Sequence, residues 1–376
     1  MIRSHVDVVG SLLRPAKLLA AQKKLAAGEL EPVDFKSVED WAVDQAVALQ
    51  EETGLEIVTD GEMRRQSFQA QMTAAVEGFG EHTLDAFLWG QWHGDEATGK
   101  CTLDRPPNLG VVSKLRRRRH LCAEEFTYLR ARTRCIPKIT LPSPSLWVNF
   151  WSRQQSHHAY PTIESFLADV AQILCEEVAE LARLGATYIQ IDAPHYALLI
   201  DPATRGFYQR QAAEAGYLGT LEQWLDRALE LDNAVISAAP SPVTFGFHLC
   251  RGNQASRWLA EGSYEPIACT VFRKIKAQRL LLEYDDARSG SFEPLRHIPE
   301  DKAVVLGLGT TKRRHLETRG DLTERIREAS RYVPLERLAL SPQCGFASSV
   351  IGNRISLEDQ KCKLRVLVET ARTMWG

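Results

Sequence analysis

A chain of 376 residues is longer than most single cores, yet an α/β barrel reaches this length as one domain. Its 46 Lys and Arg against 48 Asp and Glu leave a net charge of −2, which excludes the broad positive field of a nucleic-acid or anionic-membrane binder. Eight cysteines lack the dense spacing of a disulfide scaffold, no apolar run of about 18 residues occurs, and M-I-R-S-H-V-D-V-V-G carries no signal-peptide pattern, so a cytoplasmic chain with reduced thiols is expected.

Short apolar, β-branched runs alternate with long helical patterns along the chain, the signature of βα units and a parallel sheet. The predicted strands, in order, are 6–11 (V-D-V-V-G-S), 56–62 (E-I-V-T-D-G-E), 137–143 (P-K-I-T-L-P-S), 188–194 (Y-I-Q-I-D-A-P), 243–250 (V-T-F-G-F-H-L-C), 279–285 (R-L-L-L-E-Y-D), 303–310 (A-V-V-L-G-L-G-T) and 337–345 (R-L-A-L-S-P-Q-C-G). Helical patterns cover 38–53, 163–184, 221–237 and 322–330, and Gly54 and Gly185 stand where left-handed C-caps are expected. Eight strands interleaved with helices predict a (β/α)8 TIM barrel over 1–376, a single catalytic domain; a doubly wound open sheet is the alternative, because counting strands does not prove closure.

Residues 86–116, with Trp89, Trp92, Gly94, Gly99 and the apolar run 110–115, break the alternation. They are expected to form a hairpin excursion between the second and third strands. The basic cluster from Lys114 to Arg119 reads as a solvated face of that hairpin.

Most strands end in something chemically capable: Gly10-Ser11 then Arg14, Asp60-Gly61-Glu62, Thr140 with Ser143 and Ser145, Asp192 with His195 and Tyr196, His248-Leu249-Cys250, Glu283 with Asp285, and Cys344-Gly345. In a barrel these ends share the face on which active sites are built. His248 and Cys250 point the same way from one strand, and Glu283 and Cys344 arrive from later strands, so the four form a candidate Zn2+ shell. Calcium and magnesium would want oxygen ligands. Asp285 and Asp286 are rivals for Glu283, whereas Cys175, Cys269 and Cys362 lie in helical patterns and read as core or surface thiols. Two thiolates and a carboxylate around Zn2+ suit alkylation of a bound thiolate better than water activation.

The chain resembles the cobalamin-independent methionine synthases, specifically their C-terminal catalytic barrel and its short stand-alone relatives, from V-G-S-L-L-R-P at 9–15 through S-P-Q-C-G-F-A-S at 341–348. The resemblance implies the same zinc ligands, His248, Cys250, Glu283 and Cys344. It implies homocysteine gripped by Gly10 and Ser11 of the G-S turn, by Glu62 and by Asp192 of Q-I-D-A-P, carboxylates that pair with an ammonium. The full-length members carry a second, N-terminal barrel for a polyglutamylated folate, and this chain is roughly half that length. The sequence therefore leaves the donor open among a folate, a corrinoid and other methyl or alkyl carriers. Lys312 stands where the family has a histidine associated with proton transfer, which leaves His195 as a candidate general acid beside Asp192, with packing as its other reading.

Three functions follow: zinc-dependent methyl transfer to homocysteine, giving methionine; addition of coenzyme M or another small thiol to an epoxide, as in one short relative; and a non-catalytic barrel that binds zinc and thiol. The expected partners are a small thiol and a methyl or alkyl donor, which Trp89, Trp92 or Trp147 would contact, and neither nucleic acid nor membrane. A homo-oligomer is compatible with the sequence.

Overall fold

The computed structural model describes residues 2–376 apart from 81–90, 97, 103–109, 203, 207–208, 211–218 and 241. Its strands in chain order are β1 (Ile57–Val58), β2 (Val76–Gly80), β3 (Gln91–Trp92), β4 (Cys101–Thr102), β5 (Gly110–Arg117), β6 (Ile136–Pro142), β7 (Tyr188–Asp192), β8 (Thr244–Leu249), β9 (Arg279–Glu283), β10 (Ala303–Gly309) and β11 (Leu338–Pro342). Among the described residues, seven of them build one curled parallel sheet in the order β1-β6-β7-β8-β9-β10-β11. Every residue of β7, β8, β9 and β11 is buried, as expected of strands covered on both faces.

The expected first strand, 6–11, differs from the sequence reading: in place of a ladder it makes one parallel bridge, Val6 to Leu340 of β11. The reason is local. The Val8 N–H donates to Asp7 Oδ1 at 2.8 Å, Val9 O accepts from Gln190 Nε2 at 2.8 Å, and Gly10 O accepts from Thr59 Oγ1 at 2.6 Å. The segment's own Asp7 and side chains reaching in from neighbouring elements thus satisfy backbone groups that a strand partner would have paired. The segment still lies between the two edges of the sheet, with the Asp7 N–H on Leu340 O and the Leu12 N–H on Gly61 O.

Strand β1 is also shorter than expected, because Gln50 captures both backbone groups of Thr59, Oε1 accepting its N–H at 3.0 Å and Nε2 donating to its carbonyl at 2.8 Å. The chain then turns through Asp60-Gly61-Glu62. Glu62 has φ +56°, a left-handed conformation that costs a non-glycine residue about 1 kcal/mol or more.

Helices cover the sheet. Ile163–Arg183 is capped by Thr162, whose side chain accepts from the Ser165 N–H, and buries Phe166, Val170, Leu174, Val178 and Leu181 along one stripe. Each such side chain contributes roughly 1.5–3 kcal/mol before entropy is counted. Leu221–Ser237 starts with a capping box between Thr220 and Gln223. Gly54 ends Pro32–Thr53 with φ +87°, the left-handed C-cap that the sequence predicts. No helix of the described residues is long and apolar enough to cross a membrane.

Between β1 and β6, among the described residues, β2 pairs antiparallel with β5 and β3 with β4. The pairing begins at Val76, ahead of the expected 86–116 segment; Ala86 and Trp89 lie outside the described residues. Arg116 and Arg118 pair with Glu77, and Arg117 with Glu176, so these charges of the basic cluster are spent on neighbouring carboxylates. Arg257, after β8, donates to Thr98 O and Gly99 O at 2.6 and 3.0 Å, which docks the segment after β3 over the ends of the parallel strands.

Candidate active site

His248 is on β8, Cys250 follows its last residue, and Cys344 lies two residues beyond β11. The ligand atoms of these three buried residues all lie within 4.8 Å of one another, with the two Sγ atoms 3.2 Å apart. Among the described residues, and apart from the nearby Cys344 thiol, neither buried ring nitrogen of His248 has a hydrogen-bond partner. An imidazole and two thiols converging on one point, with the imidazole otherwise orphaned, fit a borderline-soft cation such as Zn2+.

Their electrostatics agree with that fit. The hydrogen bond from Cys250, with His248 and Lys312 nearby, holds the Cys344 thiol well below its usual range against the opposing effect of burial. Cys250, across the same contact, is pushed up by Cys344 and by burial. Burial alone would lower His248, but the closeness of Cys344, Asp192 and Glu283 raises it.

Glu283, the fourth residue of the expected shell, is not in this group. Its Oε1 accepts from Arg288 Nη2 at 2.6 Å and its Oε2 from the Arg251 N–H at 3.1 Å. The rival acids Asp285 and Asp286 are bound to the same guanidinium, which gathers all three carboxylates.

The other expected residues surround the same strand ends. A Cβ built on Gly10 would come within 2.9 Å of Glu62 Oε1 and 3.0 Å of Thr140 Cγ2, and one on Gly345 would overlap Ser11 Oγ. A larger residue at either position would push these side chains aside. The Ser11 carbonyl accepts the Phe346 N–H at 2.8 Å, which seats its turn against the one that carries Cys344. Arg14 locks the loops by donating to Leu12 O, Ala347 O, Glu62 O and Arg65 O.

Glu62 Oε1 accepts from Thr140 Oγ1 at 2.8 Å, and among the described residues its buried Oε2 has no hydrogen-bond partner. Asp192 ends β7; its Oδ1 accepts from Gln190 Nε2 at 2.7 Å, and no hydrogen bond from the described residues reaches Oδ2. Burial pushes Asp192 up to about 7, Glu62 adding to the rise and His248 opposing it. Two carboxylates thus present one oxygen each beside the sulfur and imidazole cluster, and among the described residues no Lys or Arg side chain is bonded to either of those oxygens.

His195 lies apart in a hydroxyl network. Asp232, from Leu221–Ser237, accepts from Ser143 Oγ at 2.6 Å, Ser145 Oγ at 3.0 Å and Tyr196 OH at 2.6 Å. With the Ser145 proton given to Asp232, its oxygen is the acceptor for His195 Nε2–H at 2.7 Å, which leaves the buried, unpartnered Nδ1 with a lone pair. Burial lowers the His195 pKa to about 3, so the ring is neutral. The sequence reading did not find Asp232, Lys138 or Asp7. The last two carried a signal, being charged residues at inward positions of apolar runs, V-D-V and K-I-T.

Residues 6–372 match the family model described as cobalamin-independent synthase, catalytic domain. The chain is 34% identical to the uncharacterized protein YxjG of Bacillus subtilis (strain 168), covering 99% of this chain and 94% of that one. It is 27% identical to the methionine synthase of Pyrococcus abyssi (strain GE5 / Orsay), over 90% and 85% of the two chains. Its fold is similar to that of a B12-independent methionine synthase from Shewanella sp. W3-18-1 solved with selenomethionine, at a TM-score of 0.71, 18% identity and 99% and 98% coverage. The chain belongs to the cobalamin-independent synthase catalytic-domain family.

Proposed function

We propose that this chain is a cytoplasmic, zinc-dependent S-methyltransferase that methylates homocysteine to methionine, in one catalytic domain folded as a closed (β/α)8 barrel. The observation that carries the reading is the His248, Cys250 and Cys344 cluster beside two carboxylates, Glu62 and Asp192, each with a free oxygen. Support for closure comes from the segment around Val6, which bridges β11 and contacts Thr59 after β1.

His248, Cys250 and Cys344 would hold Zn2+, with Glu283 as a fourth ligand once Arg288 releases it. Bound there, Zn2+ would lower the pKa of a substrate thiol so that it is ionised at neutral pH. Glu62 Oε2 and Asp192 Oδ2 receive the substrate ammonium, and the Gly10-Ser11 turn receives its carboxylate. Buried loops around these groups exclude water, which strengthens both contacts. The substrate sulfur bonds to the methyl carbon as the donor's bond to it breaks, and the electron pair leaves with the donor. His195, neutral and with Nδ1 bare, serves as a hydrogen-bond acceptor in this reading rather than as the expected general acid.

Coenzyme M carries a sulfonate and no amine, so it would leave Glu62 and Asp192 without a partner. The test is methionine formation by the zinc-loaded protein from L-homocysteine with methylcobalamin or a methyltetrahydrofolate. Methionine from either donor supports the proposal, and turnover of coenzyme M with an epoxide in its place refutes it.

A further inference from the structure

A buried relay lies beneath the two carboxylates. In the β6 and β7 pairing Lys138 stands opposite Tyr188, Thr140 opposite Gln190 and Pro142 opposite Asp192, so alternate residues stack in layers on one side. In the lowest layer Lys138 Nζ donates to Asp7 Oδ1 at 2.8 Å, to Val8 O, and to Gln190 Oε1 at 2.8 Å. Asp7 also accepts from Tyr188 OH at 2.7 Å and lies 3.4 Å from Arg279 Nη2. The Lys138 and Asp7 side chains are wholly buried.

Donor and acceptor logic then fixes the layer above. An ammonium only donates, so the Gln190 atom facing Lys138 must be the oxygen. The amide NH2 is thereby turned away, and its two protons are spent on Val9 O at 2.8 Å and Asp192 Oδ1 at 2.7 Å. A flipped amide would set its nitrogen against the ammonium and its oxygen against both the Val9 carbonyl and the Asp192 carboxylate, three repulsive contacts in place of three bonds. Asp192 is held at Oδ1 alone, and its other oxygen is left for a ligand.

The geometry points to Lys138 and Gln190 as positioning residues that select an amine-bearing thiol: the Asp7–Lys138 pair locks the Gln190 amide, and the amide holds Asp192 with Oδ2 turned to the substrate ammonium. This rests on the assignment of Asp192 to the ammonium. A buried ion pair is a poor source of net stability, since desolvation offsets most of its attraction, whereas fixing a neighbour's orientation is a role for which such pairs suit.

The experiment compares L-homocysteine with 4-mercaptobutyrate, the same thiol acid without the amine, by calorimetry on the zinc-loaded full chain and its variants. Gln190→Met and the paired Asp7→Asn/Lys138→Met should bind L-homocysteine about tenfold more weakly and 4-mercaptobutyrate as the parent does. Gln190→Asn keeps an amide but is too short to reach from Lys138 to Asp192, and should show the same selective loss in a chain that melts like the parent. Equal weakening toward both ligands, or no change toward either, overturns the inference. A parent protein that does not prefer L-homocysteine refutes the ammonium assignment itself, and the inference with it.

Discussion

Asp192 stands opposite His248 in the parallel pairing of β7 with β8. One register step therefore sets the Asp192 carboxylate at the level of the His248 imidazole, each acting on the charge of the other and His248 lying also against Cys344. A ligand that satisfies both neighbourhoods needs a cationic group for the first and a sulfur to join the thiol cluster of the second, and a thiol amino acid has both.

If Cys250 and Cys344 hold the metal, Cys250→Ser and Cys344→Ser should each retain less than about a tenth of the parent zinc after dialysis against a weak chelator, with the fold kept. Elemental analysis with circular dichroism checks this. Full zinc in either variant would place the metal elsewhere.

Glu283 should behave differently, because Arg288 and the Arg251 N–H already hold its carboxylate. Glu283→Gln is expected to keep its zinc and lose about 10- to 100-fold in affinity, as measured by competition with a chromophoric chelator. Loss equal to that of the cysteine variants would make Glu283 an indispensable ligand.

The two close-packed glycines separate the subsites. Gly10→Ala brings a methyl to 2.9 Å from Glu62 Oε1, so L-homocysteine affinity should fall about tenfold while zinc content is unchanged. Gly345→Ala strikes Ser11 Oγ next to Cys344 and should weaken both. Isothermal titration and metal analysis read the two effects apart.

His195 should stay a neutral imidazole with the proton on Nε2 from pH 8 down to 5, observable by nitrogen NMR of labelled histidine. The folded pKa, about 3, lies below the unfolded value of about 6.5, so the unfolded chain binds the proton first. The stability this contributes is complete above pH 6.5 and is lost as pH falls toward 3; His195→Gln should flatten that slope. A titration with a midpoint near 6.5 would restore His195 as a proton donor.

The convergence of His248, Cys250 and Cys344 was legible because they sit at strand ends beside turn residues, where side-chain alternation decides which way they face. That Asp192 and Glu62 lie beside that cluster was legible for the same reason. What escaped is what depends on contacts across the fold. Nothing in R-L-L-L-E-Y-D announces that Arg288, five residues on, takes the Glu283 carboxylate. Residues 6–11 have strand composition, and only the inward reach of Lys138, Gln190 and Thr59 to their carbonyls shows why no ladder forms. Asp232 reads as an ordinary helix residue until its three hydroxyl donors, from two other elements, are seen around it.

The central claim is that the His248, Cys250 and Cys344 cluster binds zinc and that this zinc takes the substrate sulfur. Zinc X-ray absorption on the loaded protein, before and after L-homocysteine, reads it directly. Two sulfur scatterers near 2.3 Å, rising to three with substrate, are the predicted result. A sulfur count that does not change on adding L-homocysteine would contradict it.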